Sequence, residues 1–212
     1  MIWFTADTHF GHTGIRTHQL KRAAEFESIE AMDDCLIDGI NSVVSRDDEL
    51  WHLGDFGWGA RKYGHYRQRL NVRKLHVLRG NHDQASLRRH VSSMEMMVMR
   101  KFNDIKFVLC HYPIYSWPAR VHGSIHLYGH CHGMAEQRLD EVMQCRRSLD
   151  VGMDNAFLLL GEWRPFSVDE IIASMKAEEP INDELYRMWS DSNTPPHKPG
   201  APASIDGEFA ED

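Results

Sequence analysis

Five short stretches carry side chains that do chemistry: Asp7-Thr8-His9, Gly54-Asp55, Gly80-Asn81-His82-Asp83, His111, and Gly129-His130-Cys131-His132. Each follows a brief apolar run, so each falls where a strand would end. Carboxylate, imidazole and amide oxygen together suit a divalent transition metal. An aspartate and a histidine two apart in irregular backbone can both turn toward one cation. Asp55 has two carboxylate oxygens and so can bridge two cations, which an imidazole cannot do. His82 has the side chain whose ordinary pKa lies nearest neutrality, so it can donate or accept a proton. Gly80 lets the chain turn sharply off the preceding strand. His12 is expected beside the metals as a substrate contact or outer partner. His52, out of phase with its apolar neighbours, is assigned to structure, and Cys131 to packing. A lone Gly-Asn is an ordinary turn; the recurrence of apolar run followed by ligand is what argues for a site.

The elements that must hold these groups follow in chain order. Residues 1–6 form a buried strand, and Ser28–Val44 has helical spacing through Ile29, Met32, Leu36, Ile37, Ile40, Val43 and Val44. Residues 50–53 form a second strand. A glycine-punctuated basic loop over 57–71 ends in a helix near Tyr66–Leu70. Lys74–Arg79 is the central strand, followed by a short helix near Ala85–His90. Met94–Arg100 and Ile105–Cys110 flank Asn103-Asp104 as a hairpin, with Met94, Met96, Met97 and Met99 expected as core filler. Ile125–Tyr128 is another strand, and Arg146–Val151 and Ala156–Trp163 are expected as strands. Ser167-Val168-Asp169-Glu170 is a capping box opening a helix to about Ala177. The domain is placed at 1–178, and 179–212, rich in Pro, Ser, Gly and acids, is expected as a disordered or loosely attached tail.

With 212 residues, 42% apolar and 26% charged, the chain is long enough for one well-filled core. No apolar run approaches the roughly 18 residues of a membrane span, so no membrane partner is expected. The N-terminus enters a strand directly, and a secretory signal is not expected. The four cysteines form no Cys-x-x-Cys pair, which points to free thiols in a reducing cytoplasm. The formal charge of −7 argues against generic binding to nucleic acid phosphates. Yet eleven basic residues between Arg61 and Lys101 face only Asp83 and Glu95, a basic middle that would sit well beside a phosphate site.

The five blocks, in this order over residues 7–132, resemble the calcineurin-like metallophosphoesterases, whose pattern is Asp-x-His, Gly-Asp, Gly-Asn-His-Asp or -Glu, His, and Gly-His-x-His. The opening Asp7-Thr8-His9-Phe10-Gly11-His12 is similar to a small prokaryotic and phage subgroup. So are Leu149-Asp150-Val151-Gly152-Met153-Asp154 and Pro165-Phe166-Ser167-Val168-Asp169-Glu170-Ile171. The resemblance implies an α/β fold, a four-layer α/β/β/α sandwich of two mixed sheets flanked by helices. It implies two metal ions: Asp7, His9 and His132 on one, Asn81, His111 and His130 on the other, with Asp55 bridging. Mn²⁺ is the first choice of metal, ahead of Fe, Zn²⁺ or Ni²⁺. Such a pair lowers the pKa of a shared water and clamps the attacking and leaving oxygens of a phosphoryl group. His82 would protonate the leaving group, oriented by Asp83, with His12 and Arg79 contacting substrate. The block Gly54-Asp55-Phe56-Gly57 lacks the Asp-Arg-Gly of the protein serine/threonine phosphatases, which weakens that substrate class. The expected function is therefore a phosphodiesterase acting on nucleotides or other small phosphoesters. A nuclease on DNA or RNA, and a non-catalytic metal scaffold for a partner, are the alternatives; the complete ligand set disfavours the scaffold.

Overall fold

Alternation along three strands decides the layers. The computed structural model describes residues 1–143 and 146–176. Its first half runs β1 (Ile2–Thr5), α1 (Ile15–His18), α2 (Leu20–Glu25), α3 (Ile29–Val43), β2 (Glu49–His52), α4 (Tyr63–Arg69), β3 (Lys74–Leu78), a 3₁₀ turn (Ala85–His90) and β4 (Ser93–Glu95). There follow β5 (Met97–Phe102), β6 (Ile105–Cys110), β7 (Ile125–Tyr128), α5 (Glu136–Val142), β8 (Ser148–Asp150), α6 (Met153–Leu160), β9 (Phe166–Ser167) and α7 (Val168–Lys176).

Trp3, Leu50, Leu75 and Val77 face one way and pack with Met32, Leu36, Ile37 and Ile40 of α3. Phe4, Trp51 and Leu78 face the other way, against Val98, Phe107, Leu109, Ile125 and Leu127 of a second sheet. Each of these buried side chains contributes about 1.5–3 kcal/mol. The first sheet has the order β4-β3-β2-β1-β9 and the second β5-β6-β7-β8. Both are mixed: β1, β2, β3 and β4 are parallel with β9 antiparallel, and β6, β7 and β8 are parallel with β5 antiparallel. On the outer face of the second sheet Val108 packs with Trp117 and Met143, with Leu139 of α5 against them. Helices, two sheets and helices make the four-layer sandwich that the resemblance implies.

Local signals explain the element ends. Ser28 caps α3 by accepting the Ala31 N–H at 3.0 Å. At α7 the capping box is complete: Ser167 Oγ accepts the Glu170 N–H at 3.2 Å and Glu170 accepts the Ser167 N–H at 2.8 Å. Asn103 and Asp104 take φ of 46° and 65° in the hairpin turn, as a two-residue loop requires.

Three expectations are corrected. Residues 156–163 are not a strand; α6 occupies Met153–Leu160 and stops at Gly161 with φ 72°. A short apolar run cannot be told from a strand by periodicity, and here the Gly161 C-cap was the better signal. The arm Met94–Arg100 is split, since β4 pairs with β3 in the first sheet and β5 with β6 in the second. The methionines are not core filler, because Met96, Met97 and Met99 are exposed and only Met94 packs on the core. The expected tail over 179–212 lies outside the described residues. Among the described residues, no helix is long and apolar enough to cross a membrane.

Candidate metal centre

Parallel pairing brings the ends of β1, β2 and β3 to one edge, with Thr5 opposite His52 and His52 opposite Val77. Asp7, Asp55 and Asn81 leave from that edge; His111 and the His130–His132 loop leave β6 and β7 of the other sheet. Backbone bonds fasten the loops together. Asp7 N–H donates to Gly54 C=O at 3.0 Å, His9 N–H to Asp55 C=O at 2.9 Å, and Gly129 N–H to His111 C=O at 3.0 Å. His130 N–H donates to Asp7 Oδ2 at 2.9 Å and joins the two sheets' ends.

Two groups of ligand atoms result. Asp7, His9 and His132 offer atoms within 4.8 Å of one another, and so do Asp55, His111 and His130. Asn81 Oδ1 lies 3.1 Å from His111 Nε2 and 3.0 Å from His130 Nδ1, completing the second group. One oxygen spans both: Asp55 Oδ2 is 3.6 Å from His9 Nε2 and 3.4 Å from His111 Nε2. All seven expected ligands are thus brought together.

These residues fit a pair of cations on two further observations. Asp7 Oδ1 and His9 Nε2 are buried without a hydrogen-bond partner among the described residues, a loss of about 1–3 kcal/mol for each group that a cation would offset. Asp7, His9, Asp55, His130 and His132 have φ of 57°, 50°, 55°, 71° and 51°. Left-handed backbone at non-glycine residues costs roughly 1–3 kcal/mol each and gathers at functional sites. Here it turns side chains two apart toward the same side, while Thr8 between the first pair points away, with Oγ1 donating to Phe56 C=O at 2.7 Å and lying 2.9 Å from His52 Nε2. Burial pushes His52 down to about 3, so it is a neutral structural histidine.

A second layer aims the ligands. His111 Nδ1 meets Leu53 C=O at 2.7 Å, which leaves Nε2 for the site. His132 Nδ1 meets Asp154 Oδ2 at 2.7 Å, and Asp154 in turn accepts from Arg22 Nε and Nη2 at 2.9 and 2.6 Å. Arg22, fully buried, also donates to the Asp7 and Thr8 carbonyls at 2.5 and 3.2 Å. Burial alone would raise the Asp154 carboxyl, but Arg22 and His132 hold it well below the usual carboxylate range. Asp7 goes the other way: burial, then the facing carboxylates of Asp150, Asp55 and Asp154, push it well up. That concentration of negative charge is suited to cations. Asp150, fully buried, accepts the Gly133 and Gly152 N–H groups at 2.9 and 2.8 Å and so fixes the chain on either side. Neither Arg22 nor Asp154 was expected as a site residue; only the Leu149–Asp154 block hinted at the latter. Replacing Arg22 by methionine strands Asp154 as an uncompensated buried charge. The expected cost is about 3–5 kcal/mol, seen as a lowered melting temperature, together with reduced metal content as His132 loses its aim. Lysine, lacking the fork, should restore little.

Asp83 does not orient His82. It is buried, and its carboxylate accepts the N–H groups of Asp55, Gly80 and Phe56 at 2.8, 2.9 and 2.9 Å. It is a strut between the loops after β2 and β3. Gly80 is needed for close approach rather than for a left-handed turn, since its φ is not positive. A Cβ there would stand 2.2 Å from Asp55 Oδ1 and 2.4 Å from Asp55 N. Gly129 is similar, with a Cβ 2.7 Å from Asp7 Oδ2. Gly80→Ala should therefore displace Asp55 and lower turnover by about 10²-fold or more, with metal analysis showing a depleted site. Full metal content and near-normal turnover would contradict the close-approach argument.

The remaining expected residues line the opening. A cleft of about 450 Å³ is bordered by His9, His12, Asp55, Trp58, His82 and His132. The His82 ring is half-buried, its N–H donates to Asp55 Oδ1 at 2.9 Å, and the imidazole makes no hydrogen bond among the described residues. His12 lies 3.3 Å from His9 Nδ1 through its own Nδ1 and stacks on Trp58. Burial, and then the neighbouring His82, lower its pKa. Arg79 is exposed and donates from Nε to Asp83 C=O at 3.2 Å. A larger hollow of about 630 Å³ behind α3, beside Cys35 and Trp163, contains none of these groups.

No family model matches the chain. It is 27% identical over 186 residues to the gene 66 protein of Mycobacterium phage L5, covering 72% of this chain and 86% of that protein. A solved protein of unknown function from Aquifex aeolicus matches 82% of this chain and 98% of its own, with a TM-score of 0.63 at 20% identity, which is likeness of fold. YfcE, a phosphoesterase from E. coli, overlaps 62% of this chain and 69% of its own at 17% identity, with a TM-score of only 0.34.

Proposed function

We propose that this chain, which has the fold of the calcineurin-like metallophosphoesterases and their motif blocks in order, is a metal-dependent phosphoesterase acting by preference on phosphodiesters of nucleotide size. The observation that carries the reading is the single oxygen, Asp55 Oδ2, placed between two otherwise complete ligand groups. Asp7, His9 and His132 would hold one cation and Asn81, His111 and His130 the other. A donor set of carboxylate, imidazole and amide suits divalent transition metals, with Mn²⁺ the one we propose and Fe, Zn²⁺ or Ni²⁺ also accommodated. Two cations bound there supply Lewis-acid stabilisation of phosphoryl charge and a water activated near neutral pH.

The chain's own residues do the rest. Asp83 and Gly80 hold Asp55 in register, and Arg22 with Asp154 holds His132. The Asp55 contact to the His82 N–H sets His82 at the cleft wall, where its imidazole can give a proton to the leaving oxygen. His12 and Trp58 form the adjoining wall, and the exposed Arg79 adds positive charge at the rim. Turnover of chromogenic monoesters and diesters, cyclic nucleotides and single-stranded DNA, measured on protein stripped and reloaded with each metal, tests the proposal. Metal-dependent hydrolysis with diesters ahead of monoesters supports it. Hydrolysis confined to the polynucleotide would make the chain a nuclease, and none with any metal would leave it a metal-binding scaffold.

A further inference from the structure

Trp58 lies three residues past Asp55. Its ring is parallel to His12, with centroids 4.3 Å apart and planes 8° apart, yet the residue remains 47% exposed. Single exposed tryptophans are ordinary, but this one is held firmly. Phe10 N–H donates to Phe56 C=O at 3.1 Å and Trp58 N–H to Phe10 C=O at 2.8 Å, so the loops bearing His9 and Asp55 are zipped together beneath it. His12 stacks on the indole, and nearly half of the residue stays exposed to solvent.

Beyond Trp58 lies a second cleft, of about 440 Å³, lined by Trp58, Arg79, Asn81, His82, Gln84 and Ala85, with Asp83 beneath. Trp58, Asn81 and His82 also line the metal cleft, so they form the wall between the two spaces. The His82 and Trp58 rings are 5.3 Å apart at 51°. The group able to protonate a leaving oxygen thus stands at the entrance to the second cleft. That cleft offers a partly exposed tryptophan and an arginine anchored at Nε.

We propose that this second cleft receives the leaving arm of the ester and selects an arm that carries a flat aromatic ring, stacked on Trp58 with Arg79 along the edge. The inference rests on the phosphoesterase reading, because His82 is what makes this the leaving side. An exposed, rigid indole loses little freedom on stacking, and a ring stacked on an aromatic side chain strengthens binding by about tenfold or more. An alkyl or bare sugar arm would gain no such contact.

The test separates the ring from the rest of the substrate. Adenosine 5′-phosphate and ribose 5-phosphate share the phosphate and the ribose oxygen and differ only in the ring; in a monoester the one organic arm is the leaving arm. Their methylene phosphonates, in which carbon replaces the ester oxygen, cannot be cleaved. Calorimetric titration of each into Mn²⁺-loaded wild type, Trp58→Phe and Trp58→Leu, with metal content checked for all three, reads the subsite without turnover. The adenosine analogue should bind wild type about tenfold tighter, keep most of that preference with phenylalanine, and fall to within about twofold of the ribose analogue with leucine. Equal affinities in wild type, or a preference undiminished in Trp58→Leu, would overturn the proposal. Failure of the phosphoesterase reading would show separately, as absence of turnover across the ester panel by wild type.

Discussion

Asp55→Ala should bind neither cation firmly and should lose turnover by about 10³-fold or more, since each Lewis-acid contact is worth several kcal/mol. The size of the effect follows from position. Asp55 Oδ2 is the atom near both ligand groups, at 3.6 Å from His9 Nε2 and 3.4 Å from His111 Nε2, while Oδ1 fixes the His82 backbone. Burial acts to raise its carboxyl, but the His111 and His82 contacts hold it below the ordinary value, so it enters the site as a full anion. Losing it removes the bridge, one unit of negative charge and the register of the proton donor together. Elemental analysis of dialysed wild type should find close to two ions per chain and of Asp55→Ala well under one. One equivalent in the wild type, or two in the variant, would sink the bridging assignment. Asp55→Asn, which keeps the shape and the oxygen facing the His82 N–H, should retain the fold and the melting temperature of the stripped protein while still losing metal.

The candidate ligands were legible in the sequence because each is fixed locally: an apolar run ends and the donors follow within about four residues. Parallel pairing then does what no local signal can, bringing the ends of β1, β2 and β3 to one edge, while β6 and β7 deliver theirs from the second sheet rather than from the same one. What was not legible depends on contacts between distant segments. Arg22 and Asp154 are 132 residues apart, and nothing in the sequence around Arg22 distinguishes it from a surface arginine. Asp83 looked like a partner for its neighbour His82, whereas its carboxylate reaches back to the backbone of Asp55 and Phe56. Gly80 looked like a turn glycine, but the constraint on it is the Asp55 side chain it would strike. The strand expected over 156–163 failed for a different reason: Leu158, Leu159 and Leu160 are a run that either period allows, and Leu158 and Leu159 prove to be exposed.

His82 is the residue whose role most separates chemistry from binding. If it donates a proton to the leaving oxygen, its loss should hurt most where that oxygen departs as a poor alkoxide, such as a ribose hydroxyl. There His82→Ala should cost about 10²–10⁴-fold in kcat. A nitrophenolate departs well without a proton, so the same variant should lose far less on a nitrophenyl ester of matched structure. Metal content should not change, because the imidazole makes no hydrogen bond among the described residues and lies outside both ligand groups. The backbone N–H that holds Asp55 Oδ1 is retained in the variant, which keeps the bridge in place. Equal losses on the two esters would remove His82 from proton transfer and leave it as part of the cleft wall. Loss of metal would instead make it a ligand.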